Sequence, residues 1–366
     1  MSINRIYKCL ESVNSLYVNK TVGGYNAKPC CIWKEKTPYY VETIEELLDN
    51  PFINDIKERF KSDWKRQECN DCLVKEQAGQ KSKRLRSLAR QSDIRPGKII
   101  KWDLRPGNTC NLKCAMCNPK NSIKWYEDID IFTSFNYSLD QYENSREGID
   151  WNWIYDQCID TAEIIYIAGG EPFYMKPVQH FLERLSQHEW NRNNTLIEIQ
   201  TNAVSNTSTF IKTLSKFKNI TFGISCDGWG SVNELIRFPT KHDVFVKNVN
   251  ELMTLDTRWI FFSLTVQCMN LPIMDKTIAK IKEMWDGKYK NIDLHRLHTP
   301  RHLSINTLKP SVIEDVKRTT TVPEIKKFVE LYNYDEGKNK KMKEYLLALD
   351  KARGTDSQKV IPWCFE

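Results

Sequence analysis

The sequence predicts an α/β protein built as an open, partial (β/α)6 barrel preceded by a small cysteine-rich module. From residue 99 onward, short apolar runs alternate with helix-compatible stretches, the pattern of a parallel sheet with crossover helices. Near the N-terminus a glycine pair separates two strand-like runs, which marks a hairpin. The cysteines fall into two spaced groups, one in each part.

The expected strands of the β/α series are 99–104, 163–168, 196–200, 220–225, 259–266 and 291–297, with helices near 178–188, 208–217, 244–255 and 274–285. Six such units are too few to close an eight-stranded barrel, and chemistry in such folds sits at the C-terminal ends of the strands. Ahead of the series, the runs 16–21 and 25–33 flank Gly23-Gly24, and helical stretches follow at 44–48 and 53–60. This reads as a separate module rather than as part of the series. The polar segment 333–341 reads as a loop joining helices. The expected divisions are 1–98, 99–310 and a C-terminal helical extension over 311–366.

A chain of 366 residues, 40% hydrophobic, can bury a large core. No apolar stretch approaches the roughly 18–20 residues of a membrane helix. The first residues lack the pattern of a secretory signal, so a cytoplasmic protein without a membrane partner is expected. Twelve cysteines in such a chain read as metal ligands rather than disulfides. The net charge of +7 is unevenly placed: residues 74–101 carry nine basic and two acidic side chains, and 127–163 carry ten acidic and one basic. The basic run could contact nucleic acid. A solvated helix face is the plainer reading, because the acidic segment leaves no evident continuous basic surface.

Cys110, Cys114 and Cys117 stand as CxxxCxxC directly after the first strand of the series. A loop there can curl three soft thiolates round one centre, and an iron-sulfur cubane so held keeps one iron open for chemistry. A structural zinc site, which prefers four protein ligands, is the rival. The run Cys110-Asn111-Leu112-Lys113-Cys114-Ala115-Met116-Cys117, with Gly169-Gly170-Glu171-Pro172 at the end of the next strand, resembles the radical S-adenosylmethionine (SAM) superfamily, whose core is a partial TIM-like barrel. The resemblance implies a [4Fe-4S] cluster on the three cysteines. SAM is then chelated to the open iron and cleaved to a 5′-deoxyadenosyl radical that abstracts hydrogen from a substrate.

It further implies that Gly169, Gly170, Glu171 and Pro172 meet the SAM amino group. Asn202 and Ser225, at the ends of the next two strands, are candidates for the carboxylate and ribose. Arg237 is a further candidate for the carboxylate, which a guanidinium matches bidentately.

The N-terminal cysteines Cys9, Cys30, Cys31, Cys69 and Cys72 resemble the twitch or SPASM auxiliary-cluster domains attached to radical SAM cores. That resemblance implies a second iron-sulfur cluster on Cys9, Cys69, Cys72 and one of Cys30 and Cys31. Such domains commonly follow the core, and here the module precedes it. A zinc site is the alternative for this group. The stretches 349–356 and 361–363 look like the ending of phage and bacterial twitch-domain radical SAM proteins.

The function implied is reductive SAM cleavage to modify a substrate such as a peptide, with electrons from a flavodoxin or ferredoxin. The cluster would work toward the reducing end of a range of roughly −700 to +450 mV. The alternatives are an RNA-modifying radical SAM enzyme, motivated by the basic run, and a non-catalytic zinc-stabilised binding protein. His295, His298 and His302 are read as structural or surface residues rather than metal ligands, one of them with a place in the substrate pocket as the minor reading. Cys226 and Cys268 read as packing thiols, with hydrogen-atom donation to a substrate radical as the minor reading. Cys158 and Cys364 have no partner identifiable from sequence.

Overall fold

The structure is a computed structural model and describes residues 9, 11–34, 39–62, 65, 67–77, 81–90, 98–135 and 148–366. The reading of the extreme N-terminus, and parts of both charge runs, lie outside the described residues. The strands are β1 (Ser15–Thr21), β2 (Gly24–Asn26), β3 (Tyr40–Val41), β4 (Lys101–Arg105), β5 (Ile164–Ile167), β6 (Leu196–Thr201), β7 (Asn219–Ser225), β8 (Trp259–Val266) and β9 (Asn291–Arg296). They form one sheet in the order β3-β2-β1-β4-β5-β6-β7-β8-β9. The six expected parallel strands are β4 to β9, paired in chain order. The expected crossover helices are present at Lys176–Leu185, Ser208–Leu214, His242–Leu252 and Met274–Trp285.

The N-terminal hairpin is not separate from this sheet. Ser15 to Asn19 pair in parallel with Lys101 to Arg105, so β1 is a seventh parallel strand, and β2 and β3 continue the sheet antiparallel. The physical reason lies in the core: Leu16 and Val18 are buried beside Trp102 and Leu104, and pairing covers an edge of β4 that would otherwise be open. The second hairpin strand ends at Asn26 instead of reaching residue 33. Pro29 cannot donate to a ladder, and the chain turns there toward the cysteine module.

Alternation gives the sheet two unlike faces. On one, Ile165, Ile167, Ile197, Ile199, Phe222, Phe262 and Leu264 are buried in the main core with Phe181 and Leu182 of one crossover helix and Trp285 of another. The other face is polar and aromatic. Along β8, half-buried Trp259, Phe261, Ser263 and Thr265 alternate with buried Ile260, Phe262, Leu264 and Val266. In register with them lie Tyr166, Glu198, Gln200 and Ser225 on one side and Asp293 and His295 on the other.

The sheet curls around this polar face. Lys83 of helix Lys83–Arg90 lies 3.2 Å from Asp103 on β4, and Arg86 lies 3.9 Å from Asp293 on β9. Five strand spacings would separate β4 from β9 by about 24 Å in a flat sheet, whereas helix positions three apart rise only about 4.5 Å. The edge strands β3 and β9 remain unpaired with each other. The result is a partial barrel with a helix lying across its concave side.

The segment 333–341, expected as a loop, is partly helical: helix Glu336–Arg353 begins inside it. Asp335 caps that helix by accepting from the Lys338 backbone N–H at 2.9 Å. The many lysines that suggested a loop supply the outer face, while Met342, Tyr345, Leu346 and Leu349 are buried.

Candidate active site

Cys110, Cys114 and Cys117 lie on the loop that leaves the C-terminal end of β4. Cys110 and Cys114 are buried and Cys117 is partly so. The loop is fixed from several directions. The Lys113 and Ala115 N–H groups donate to the Phe238 and Ile236 carbonyls, both at 2.7 Å. Trp125 Nε1 donates to the Cys114 carbonyl at 3.1 Å, and the Tyr345 hydroxyl donates to the Ala115 carbonyl at 2.8 Å. Lys113 pairs with Asp128 at 2.7 Å, and Arg353 pairs with the other oxygen of Asp128 at 2.8 Å. The C-terminal extension therefore holds the cysteine loop.

Burial, and to a lesser degree the neighbouring Cys114, pushes the Cys110 thiol up to about 12. Cys114 and Cys117 are raised for the same first reason. Such thiols stay neutral until a cationic centre replaces their protons, and three soft sulfurs in a buried loop are the donor set an iron-sulfur cluster takes. Among the described residues, no group of three or more His, Cys, Asp and Glu side chains is placed so as to hold a metal ion.

Gly169 to Pro172 follow β5 and pack against the start of the cysteine loop. The Glu171 N–H donates to the Thr109 carbonyl at 2.9 Å. Gly170 has φ +56, and a Cβ there would collide with that same carbonyl and with the Met175 side chain. Only glycine fits so close an approach. The Glu171 carboxylate is 1% exposed and accepts from the Phe173 N–H at 3.0 Å, the Thr201 hydroxyl at 2.7 Å and the Asn202 N–H at 2.7 Å. It thus stitches the end of β5 to the end of β6, leaving backbone carbonyls as the freer acceptors for an ammonium. Burial pushes its pKa above the usual carboxylate value despite these three donors.

Asn202 donates through Nδ2 to Asn111 Oδ1 at 2.8 Å, with the Cys110 sulfur 4.0 Å away. Arg237 pairs with Asp227 at 2.6 Å, and its Nε has no hydrogen-bond partner. The carbonyls of Ile236 and Phe238 on either side of Arg237 accept from the Ala115 and Lys113 N–H groups, so this cation borders the cysteine loop. Ser225 lies on the polar face, where it accepts from Gln200 Nε2 at 3.2 Å. The structure brings together the cysteine triplet, the glycine turn, Asn202 and Arg237. Gln200 was not singled out from sequence. Its amide covers Gly223, where any Cβ would collide with it, and a glycine in mid-strand opposite a glutamine was the available signal.

In the N-terminal module, Cys9, Cys30, Cys69 and Cys72 line one cavity of about 20 Å³ with Trp33 and Phe60. Burial first, then Glu11, pushes Cys9 up to about 12, with Cys69 and Cys72 adding to it. Cys31 does not line this cavity. Its sulfur accepts from Lys83 Nζ at 2.8 Å.

The remaining residues read from sequence are placed as follows. His302 is buried between the Phe135 and Tyr345 rings, and burial together with Lys341 lowers it to about 4. His295 and His298 are exposed. Cys226 and Cys268 are fully buried; the Cys226 thiol faces the Gly228 carbonyl at 3.2 Å, and Cys364 faces the Cys268 carbonyl at 3.4 Å. Cys158 is buried in the core at the end of helix Trp151–Cys158. Within the basic run, Arg84 pairs with Glu76, Lys83 with Asp103 and Lys101 with Glu11. No helix is long and apolar enough to cross a membrane among the described residues.

An open α/β barrel with a buried cysteine loop at the C-terminal end of a strand defines a class of cofactor-dependent enzyme. Residues 104–266 match the model of the radical SAM superfamily. That stretch is similar to the domain shared by radical SAM enzymes, a superfamily whose members use a [4Fe-4S] cluster and SAM. No curated protein matches the chain at a significant level. Among solved structures it is similar to native anSMEcpe with bound AdoMet and the Cp18Cys peptide, at 18% identity and TM-score 0.40, over 58% of this chain and 56% of that one. It is also similar to Streptococcus suis SuiB bound to precursor peptide SuiA, at 15% identity and TM-score 0.37, over 72% and 51%. A third is TYW1 with a lysine-pyruvate adduct bound, at 12% identity and TM-score 0.31, over 64% and 72%. The chain spans little more than half the length of the first two.

Proposed function

We propose that this chain is a radical SAM enzyme in which Cys110, Cys114 and Cys117 hold the catalytic [4Fe-4S] cluster and the polar inner face of the barrel receives the substrate. The observation that carries this is the contact between the buried cysteine loop and the Gly169-Gly170 turn, one strand apart within a radical SAM domain. The chemistry supplied by the cluster and SAM when bound is one-electron cleavage to methionine and a 5′-deoxyadenosyl radical, which takes hydrogen from the substrate.

The chain's own residues bind and orient. The carbonyls of the Gly169-Gly170 turn accept from the SAM ammonium, and Glu171 keeps that turn in place. Arg237, with an unfilled Nε and a position beside Cys114, meets the SAM carboxylate. Asn202 and Ser225 offer polar contacts to the carboxylate and ribose. The buried loop excludes water from the reacting centre. Electrons come from a flavodoxin or ferredoxin.

A second iron-sulfur cluster fits Cys9, Cys30, Cys69 and Cys72, because these four line one cavity while Cys31 is engaged by Lys83. A peptide substrate follows from the likeness of this module to SPASM domains and is supported by the half-open trough along β8 and β9. The RNA reading has less to rest on, since Lys83, Arg84 and Lys101 of the basic run are engaged in ion pairs.

The test is anaerobic reconstitution, iron and sulfide counting, and assay for 5′-deoxyadenosine after reduction with SAM. Wild type should carry about eight irons as two four-iron clusters and cleave SAM. Cys114→Ala should lose about half the iron and all cleavage. Stoichiometric zinc without sulfide, or no iron at all, would overturn the reading.

A further inference from the structure

On the inner face of β1, β4 and β5, five charged side chains meet at the foot of the barrel. Lys101 pairs with Glu11 at 2.6 Å. Lys83 lies 3.5 Å from Glu11 and 3.2 Å from Asp103. Arg105 lies 2.9 Å from Asp103. Three cations thus share two carboxylates, and the cation nearest the reacting end, Arg105, shares Asp103 with Lys83. Arg105 is the last residue of β4, five positions before Cys110, and a Cβ on Gly169 would sit 3.9 Å from its Cδ.

The guanidinium carbon lies 5.7 Å from the Tyr17 ring centroid and 5.1 Å from that of Tyr166. Its Nε has no hydrogen-bond partner, while the side chain as a whole keeps 21% of its surface open. A buried donor left unfilled is a feature native folds tolerate chiefly where function uses it. An arginine beside two aromatic rings, with donors left over from its ion pair, suits a planar carboxylate. Asp103 is shared by Arg105 and Lys83, and Glu11 by Lys83 and Lys101, which leaves the five side chains with a net positive charge.

We infer that Arg105, flanked by Tyr17 and Tyr166, is a substrate-carboxylate subsite beside the Gly169 turn, and that the substrate presents a carboxylate near the atom that loses hydrogen. This inference rests on the proposed function for its location and adds the substrate's chemical class. The carboxylate can come from an acidic side chain in a peptide or from a small organic acid.

The test uses the anaerobically reconstituted full chain with SAM and measures binding by calorimetry. The probes are glutarate against glutaramide, and an end-blocked peptide carrying one Glu against its Gln counterpart. Wild type should bind an acid at least tenfold more tightly than its neutral counterpart. Arg105→Lys, which keeps the charge opposite Asp103 and so the fold, should lose most of that preference because the planar fork is gone. Arg105→Gln should lose it entirely, with melting temperature recorded for both variants. Preference within the peptide pair alone assigns the carboxylate to a side chain, and preference within the small pair alone assigns it to a free acid. No preference in either pair, or one unchanged in Arg105→Lys and Arg105→Gln, overturns the subsite. Deoxyadenosine formation by wild type is read separately: cleavage of SAM without acid preference keeps the function and removes the subsite, and acid preference without cleavage does the reverse.

Discussion

At Cys30 and Cys31 one peptide bond separates two chemical surroundings. Cys30 borders the cavity with Cys9, Cys69 and Cys72, and Cys31 accepts from Lys83 on the barrel side. Cys30→Ser should therefore lose the auxiliary metal, about half the total iron, while Cys31→Ser retains it, as read by iron and sulfide content after reconstitution. Gly170→Ala should retain the catalytic cluster and reduce SAM cleavage at least tenfold, because the added methyl displaces the turn from Thr109; equal cleavage rates would count against the turn's role. That Cys110, Cys114 and Cys117 share one loop was legible in sequence, because spacing along a loop is a local property. Which of Cys30 and Cys31 faces the cavity was not, because it depends on the approach of Lys83, more than fifty residues away. Arg105, Tyr17 and Gln200 were missed for a related reason: each gains its meaning from the strand beside it.

Among the elements, the helix Glu336–Arg353 bears directly on the site. Arg353, nearly fully buried, pairs with Asp128 and lies over the Trp125 and Phe238 rings at 4.9 and 5.3 Å. Arg353→Ala removes one partner of a buried pair and should cost about 3–5 kcal/mol in urea unfolding. Tyr345→Phe removes a single hydrogen bond to the Ala115 carbonyl and should cost about 1 kcal/mol, with faster loss of cluster iron to a chelator as the accompanying readout. Amphipathic spacing made the crossover helices legible. The start of this last helix was hidden by its lysines, since polar composition alone does not reveal that Asp335 caps it. The hairpin was legible as a turn, but pairing of β1 with β4 required knowing which edge the core would cover.

For the whole molecule, the charges at the foot of the barrel set an acid limit on stability. Burial alone would raise Asp103, but Arg105, Lys83 and Lys101 outweigh it and bring its carboxyl from 3.8 down to about 2. A carboxyl depressed on folding stabilises the fold fully above its unfolded value. That contribution, about 2 kcal/mol, is lost as pH falls from about 4 to about 2. Urea midpoints of the metal-free chain should fall across that window in wild type, and fall less in Asp103→Asn. Helix Lys83–Arg90 ties this foot to β9 through Arg86 and Asp293, and so acts as a dowel across a half-pipe. It occupies space that the missing strands of a closed barrel would otherwise wall off. A core cut free of the first ninety residues would keep its six strands and its cysteine loop, yet its inner face would be wet from the side. A carbon-centred radical made there would meet buffer and reductant before substrate. On the proposed function, the N-terminal segment is thus part of the vessel in which the reaction would run.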